Sequence, residues 1–153
     1  MPQCNFRRDG PPQQTLLSVK ASPEIDVIEL GVVDPDIKSR GKSSTAPAAS
    51  DWLCAWCLNR VANEQDRFAF NGLDEFSFTN PEGIRFEIIT FERTVGCRQS
   101  GAPTLEHTWF AGHAWSFCQC ERCGMHLGWY YSGQHEFAGL IKERIVRAVC
   151  VRN

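Results

Sequence analysis

Two cysteine pairs with identical spacing, Cys54-Ala-Trp-Cys57 and Cys120-Glu-Arg-Cys123, constrain this chain more than any other feature. Each C-x-x-C supplies two thiolates from one tight turn, and two such knuckles complete the tetrahedral four-sulfur set that Zn(II) favours in structural sites. About 60 residues separate Cys57 from Cys120, far more than a simple zinc ribbon contains. A shared ion therefore pins two hairpins from distant parts of one fold, and Cys54, Cys57, Cys120 and Cys123 are the expected ligands of a structural Zn2+. A redox couple at Cys54 and Cys57 is the alternative, but the first pair lacks the βαβ surroundings of such a motif. Cys118 is set aside in favour of the C-x-x-C geometry, and Cys4, Cys97 and Cys150 read as buried or tail thiols.

With 153 residues, of which 42% are hydrophobic, the chain suits one modest core with a tail. A net charge of -2 gives no basic field for neutralising phosphates, so nucleic acid is not an expected partner. No apolar stretch approaches the roughly 20 residues of a membrane span, and residues 1–20 lack a signal-peptide core. No membrane partner is expected. Paired cysteines without an export signal point to a reducing, cytoplasmic setting.

Residues 1–50 hold a single aromatic, Phe6, and Lys38–Ser50 is a low-complexity run of small and polar residues. Such a segment buries too little apolar surface to offset its ordering entropy, so 1–50 reads as a flexible tail and 51–153 as the folded domain. Ile25–Val33 is the one part of the tail apolar enough for a strand or short helix. From Asp51 onward, short apolar runs broken by Gly, Asn, Pro and Asp predict a mainly β domain. Strands are expected at Phe76–Thr79 and Ile84–Thr94 around the turn Asn80-Pro81-Glu82-Gly83, and at Thr108–Phe117 and His126–Tyr131. Residues 138–149 fit either a helix face or a buried strand.

Trp109 and Trp115 are an even number of residues apart, which on a regular strand places both on one face. A chain reversal at the second knuckle would set Trp129 roughly opposite Trp115, with Tyr131 sharing its face. Gly112 and Gly128 suggest a bulge or close backbone approach that leaves room for a flat ligand beside main-chain groups. Equally, these tryptophans could simply fill a core, and His107, His113 and His126 could be structural.

The runs Glu106-His107-Thr108-Trp109-Phe110-Ala111-Gly112-His113-Ala114-Trp115 and Gln119-Cys120-Glu121-Arg122-Cys123-Gly124-Met125-His126-Leu127-Gly128-Trp129-Tyr130-Tyr131 resemble the CULT domain, the thalidomide-binding domain of cereblon and its bacterial relatives. Asn80-Pro81-Glu82-Gly83 and Phe137-Ala138-Gly139-Leu140 fit the same pattern, which covers about residues 51–150. The resemblance implies a β-tent, two antiparallel sheets pinned by zinc at the four cysteines. It implies that Trp109, Trp115 and Trp129 wall a cage for cyclic imides such as glutarimide, with uracil-like rings or imide-ended peptides as related ligands. Main-chain groups of His107 and Trp109 would then bind the imide, Tyr131 would close the cage and Asn80 would face the exposed part of a larger ligand. Phe86 is assigned to the rim on our own reading. The first 50 residues are too few and too polar for the Lon-like domain that docks cereblon to a ubiquitin ligase, so no ligase-docking domain is expected.

The expected function is non-enzymatic binding of a small ring. Two other readings are a zinc-containing methionine sulfoxide reductase-like enzyme using Cys97 or Cys118, and a cage for a methylated or quaternary ammonium with help from Glu106.

Overall fold

The computed structural model describes residues 46–151. The expected tail therefore lies outside the described residues up to position 45, as do the Ile25–Val33 run and Cys4. Within 46–50 the backbone is already tied in: Ala48 O accepts from Asp51 N at 2.9 Å, and Ser50 O accepts from Glu64 N at 2.8 Å.

Among the described residues, nine strands form two sheets, and every pairing is antiparallel. Strand β1 (Asp51–Cys54) is central in a three-stranded sheet, flanked by β2 (Arg60–Asn63) and β9 (Ile145–Arg147). The larger sheet contains β3 (Glu75–Thr79), β4 (Arg85–Phe91), β5 (Cys97–Thr104), β6 (Ala114–Cys120), β7 (His126–Ser132) and β8 (Glu136–Ile141), in the order β3-β4-β8-β7-β6-β5. The mainly β, two-sheet expectation holds. Residues 138–149 resolve into the end of β8, a 3-10 turn at Lys142–Arg144, β9 and the start of the helical turn Ala148–Val151. The apolar spacing there served buried strands, because both β8 and β9 have neighbours to pair with.

The alternation of β8 sorts side chains onto two cores. On one side, Ala138 and Leu140 join Ile89, Phe91, Cys118, Cys120 and Leu127 in packing against Trp52, Val61 and Ile145 of the smaller sheet. On the other, Phe137 and Ile141 join Ile88, Trp129, Tyr131 and Phe110, an aromatic layer that Phe76, Phe78, Phe86, Trp109 and Trp115 extend. The edge strands β3 and β5 are largely exposed, and β5 carries Gly101 and Pro103, residues that discourage further pairing. The buried polar residues Asp51 and Thr90 are satisfied: Asp51 accepts from Ala48 N and Asn63 Nδ2, both at 2.8 Å, and Thr90 Oγ1 donates to Phe68 O at 2.6 Å, whereas the buried Nε atoms of Arg67 and Arg147 have no hydrogen-bond partner.

Two expectations need correcting. Trp109 is not on a strand, because β6 starts only at Ala114; residues 105–113 form a loop with left-handed backbone at His107 (φ 54°) and Gly112 (φ 75°). Trp129 pairs with Phe117, while Trp115 pairs with Tyr131. The cause is a register shift, since Gln119 pairs with His126 but Cys118 pairs with Gly128, which leaves Leu127 as the extra residue. Without that bulge Trp129 would pair with Ser116 and face the opposite side of the sheet from Trp115.

At this bulge β7 comes so close to β8 that a Cβ on Gly128 would meet Gly139 O at 1.9 Å. A Cβ on Gly139 would instead meet the mobile end of Ile88, Cδ1 at 2.8 Å. Gly128→Ala is therefore expected to destabilise the domain by about 2–3 kcal/mol and Gly139→Ala by less, as read by urea unfolding. Equal effects would contradict the bulge as the tighter constraint.

Candidate functional site

The two knuckles have the same backbone design. Cys54 N donates to Asn59 O and Leu58 N to Cys54 O, both at 2.8 Å; Cys120 N donates to Met125 O at 2.8 Å and Gly124 N to Cys120 O at 2.9 Å. Each turn exits through a left-handed residue, Leu58 (φ 60°) in the first and Gly124 (φ 76°) in the second. The four expected cysteines meet, with all Sγ atoms within 4.8 Å of one another. Cys54 and Cys123 are 3.7 Å apart and Cys57 and Cys120 3.6 Å. Tetrahedral Zn–S bonds of about 2.3 Å require sulfurs about 3.8 Å apart, so the set fits such an ion.

The surroundings favour thiolates unevenly. Burial pushes the thiols of Cys54 and Cys57 up, and neighbouring cysteines add to the shift. At Cys120 burial also acts upward, but backbone N–H groups of Cys123 and Arg122 and the facing Cys57 and Cys123 thiols outweigh it and bring the group down to about 7. Asn59 Nδ2 points at Cys120 Sγ at 3.6 Å and donates to Gly96 O at 3.0 Å. These four cysteines are thus placed to hold a metal ion that joins β1 to β6.

The other thiols lie elsewhere. Cys118 is fully buried, and Cys97 is half-buried with its thiol pushed up by the neighbouring Cys118 side chain and by burial. Cys150 is disulfide-bonded, which corrects its reading as a free thiol.

On the aromatic face, Trp109 comes from the 105–113 loop and stacks on Phe78 with ring centroids 5.0 Å apart. Its edge meets Trp129 at 4.8 Å, and Phe86 touches both, at 6.0 Å from Trp109 and 5.3 Å from Trp129. Trp115 stands half-buried on β6 against Phe117, and its Nε1–H donates to Glu106 O at 2.7 Å, fixing the loop from the far side. His107 is exposed, with Nε2 3.6 Å from the Glu106 carboxylate. Trp109, Trp129 and Phe86 thus form one cluster, and Trp115 packs on the same aromatic layer while holding the loop through Glu106 O.

Two expected residues occupy other places. Tyr131 is buried against Phe110 at 4.6 Å and Phe137 at 5.2 Å, supporting the loop from beneath. Asn80 turns its side-chain oxygen back to accept from Ile84 N at 2.8 Å and Glu82 N at 3.1 Å, so it fastens the β3–β4 turn. Sequence reasoning did not single out Phe78 or Phe117, and it named His126 as a histidine that could be structural. Phe78 alternates with Phe76 on β3, and Phe117 shares the parity of Trp115, so both signals were present.

His126 lies edge-on to Trp129 at 5.1 Å and to Phe117 at 5.3 Å. Nε2–H donates to Gly128 O at 2.8 Å, and Nδ1 faces the Arg144 guanidinium at 3.3 Å. Burial and, secondarily, the charge of Arg144 lower its pKa to about 4. The bulge, the second knuckle and Trp129 are thus linked by one neutral imidazole.

No family model matches the chain. Among curated proteins it is similar to protein cereblon: 39% identical over 56 residues to that of Gallus gallus (37% of this chain, 13% of the relative) and 36% over 56 residues to that of Danio rerio (37% and 13%). It is 33% identical over 92 residues to cereblon of Drosophila willistoni (58% and 15%). The chain spans only 13–15% of the length of these relatives. The homology is partial, and together with the two sheets and the cysteine cluster it is consistent with a cereblon-like CULT domain.

Two outcomes follow from this geometry. A left-handed residue other than glycine costs about 1–2 kcal/mol, so Gly124→Leu should destabilise by about that much, whereas Leu58→Gly should leave melting unchanged or raise it. For His126, the unfolded imidazole titrates near 6.5 and the folded one near 4. The unfolded state binds more protons between these values, so this contribution to stability is complete above about pH 6.5 and is lost as the pH falls to about 4. Histidine NMR titration and urea unfolding across that window check both parts.

Proposed function

We propose that the aromatic face is a non-enzymatic binding site for a cyclic imide or a related ring, walled by Trp109, Trp115 and Trp129. The observation that carries this reading is the convergence of these indoles from a loop and two strands beside the irregular backbone at His107. A glutarimide has an acceptor–donor–acceptor edge that main-chain groups of His107 and Trp109 can satisfy, and an apolar remainder that indoles desolvate. Phe86 belongs to the rim in this scheme. Tyr131 and Asn80 act as supports, one under the loop and the other within the β3–β4 turn. The cereblon-like homology favours imide recognition over a quaternary ammonium.

The ion at the four cysteines is read as structural Zn2+, bound by thiolates as in a reducing cytoplasm, although the disulfide at Cys150 shows that not every cysteine is reduced. Every ligand is a thiolate and none leaves a position for substrate chemistry. A sulfoxide reductase needs an exposed, acidified thiol, but Cys118 is buried and Cys97 is half-buried with its thiol pushed up.

Titration with glutarimide should change the tryptophan fluorescence saturably, and Trp129→Ala should weaken binding by about 100-fold. An unchanged spectrum, or binding indifferent to Trp109, Trp115 and Trp129, would overturn the assignment. For the metal, elemental analysis should find zinc, and chelation should cause loss of the folded near-UV signal. A chelated protein that keeps its fold would contradict the structural role.

A further inference from the structure

The loop that carries Trp109 is fastened from behind by a device the binding reading does not use. In the turn between β7 and β8, Gly133 presses against the loop: a Cβ there would meet Gly112 O at 2.5 Å and the His113 ring at 2.9 Å. His113 is buried at 4% exposure, and both ring nitrogens are engaged. Nδ1 lies 2.9 Å from Ala111 O, within the loop, and Nε2 lies 3.3 Å from the backbone N of His135, across the turn. A carbonyl can only accept and an amide can only donate. The network therefore assigns a neutral imidazole with its proton on Nδ1 and a lone pair on Nε2.

The same residue organises the rest of the loop. Its carbonyl accepts from Thr108 Oγ1 at 2.6 Å, and its backbone N–H donates to Phe110 O at 3.0 Å. Thr108 and Phe110 flank Trp109, so the position of that indole is tied to His113 through two short links.

We propose that His113 is the positioning residue of the aromatic site, a clasp that holds the Trp109 loop to the β7–β8 turn while neutral and releases it when protonated. This rests on the binding reading only for its effect on ligand. A second proton must go to Nε2, which converts the acceptor into a donor facing another donor, the His135 amide. Among the described residues, no carboxylate is bonded to the ring. The groups that face the ring are Phe70 at 5.5 Å, Phe137 at 5.6 Å and the parallel His135 imidazole at 6.2 Å, itself a cation when protonated. Of the charged groups on the packed segments, Arg67 is engaged by Glu64, Asp74 and Glu75, Glu106 by His107, and Glu136 is exposed. Acidification therefore loosens the loop, and affinity falls with it.

The test combines ligand-free NMR with glutarimide titration of the full chain from pH 8 downward for as long as the protein stays folded. In the wild type, ring 15N shifts should report the Nδ1–H tautomer of His113 at pH 8, and the Trp109 indole signal should move with the titration of His113 itself. Glutarimide affinity should fall by about tenfold along the same curve, the worth of one buried hydrogen bond. His113→Phe keeps a ring but neither bond, so it should bind at least about tenfold more weakly at pH 8 and show a flattened profile. An Nε2–H tautomer, a Trp109 signal that ignores His113, or a His113→Phe variant with wild-type affinity and pH profile would overturn the clasp. Should glutarimide bind at no pH, the binding reading fails, and the tautomer with the Trp109 signal still decides the clasp in the wild type.

Discussion

The meeting of four thiols from two distant turns is the contact on which the rest of the structure depends. Cys54 ends β1 in the smaller sheet and Cys120 ends β6 in the larger one, so an ion held by both pairs joins the sheets at one point. The three-stranded sheet is too small to hold itself together, with strands of four, four and three residues. It gains its core by packing Trp52, Val61 and Ile145 on the back of the larger sheet. A bound ion adds on the order of 10 kcal/mol to folding, enough to decide whether a domain of this size is stable.

From that junction the aromatic face follows by short steps. The second knuckle starts β7, and the bulge at Leu127 turns Trp129 to the face that already bears Trp115. His126 locks this stretch, donating to Gly128 O while Arg144 donates to the His126 carbonyl at 2.7 Å. Gly128 permits the bulge to lie against β8, where any side chain would strike the carbonyl of Gly139. The cysteine cluster and the aromatic face are thus neighbours along one stretch of β7, which leaves the second knuckle and reaches Trp129 through the bulge.

The four cysteines were legible in the sequence because ligand chemistry acts through residue identity and spacing, and both pairs kept theirs. The β class was legible from short apolar runs. Parity along a strand was the wrong reason for grouping Trp109 with Trp115, since Trp109 reaches the aromatic layer from a loop shaped by left-handed backbone at His107 and Gly112. Registers were less legible, because one extra residue at Leu127 shifts every pair of β6 and β7 beyond Gln119–His126 and leaves no mark in composition. Asn80 was singled out for a ligand, yet its side chain serves the turn it sits in, a role that Asn-Pro-Glu-Gly also encodes. Clasping contacts such as His113 with His135 join residues far apart in sequence and become visible only in the fold.

The central claim is that a cyclic imide sits among the three indoles, and a crystal soaked with glutarimide tests it most directly. The account predicts density for the ring between Trp109, Trp115 and Trp129, with its imide edge on main-chain groups of His107 and Trp109. Glutarimide bound elsewhere, or an aromatic face that stays closed at saturating ligand, would contradict it.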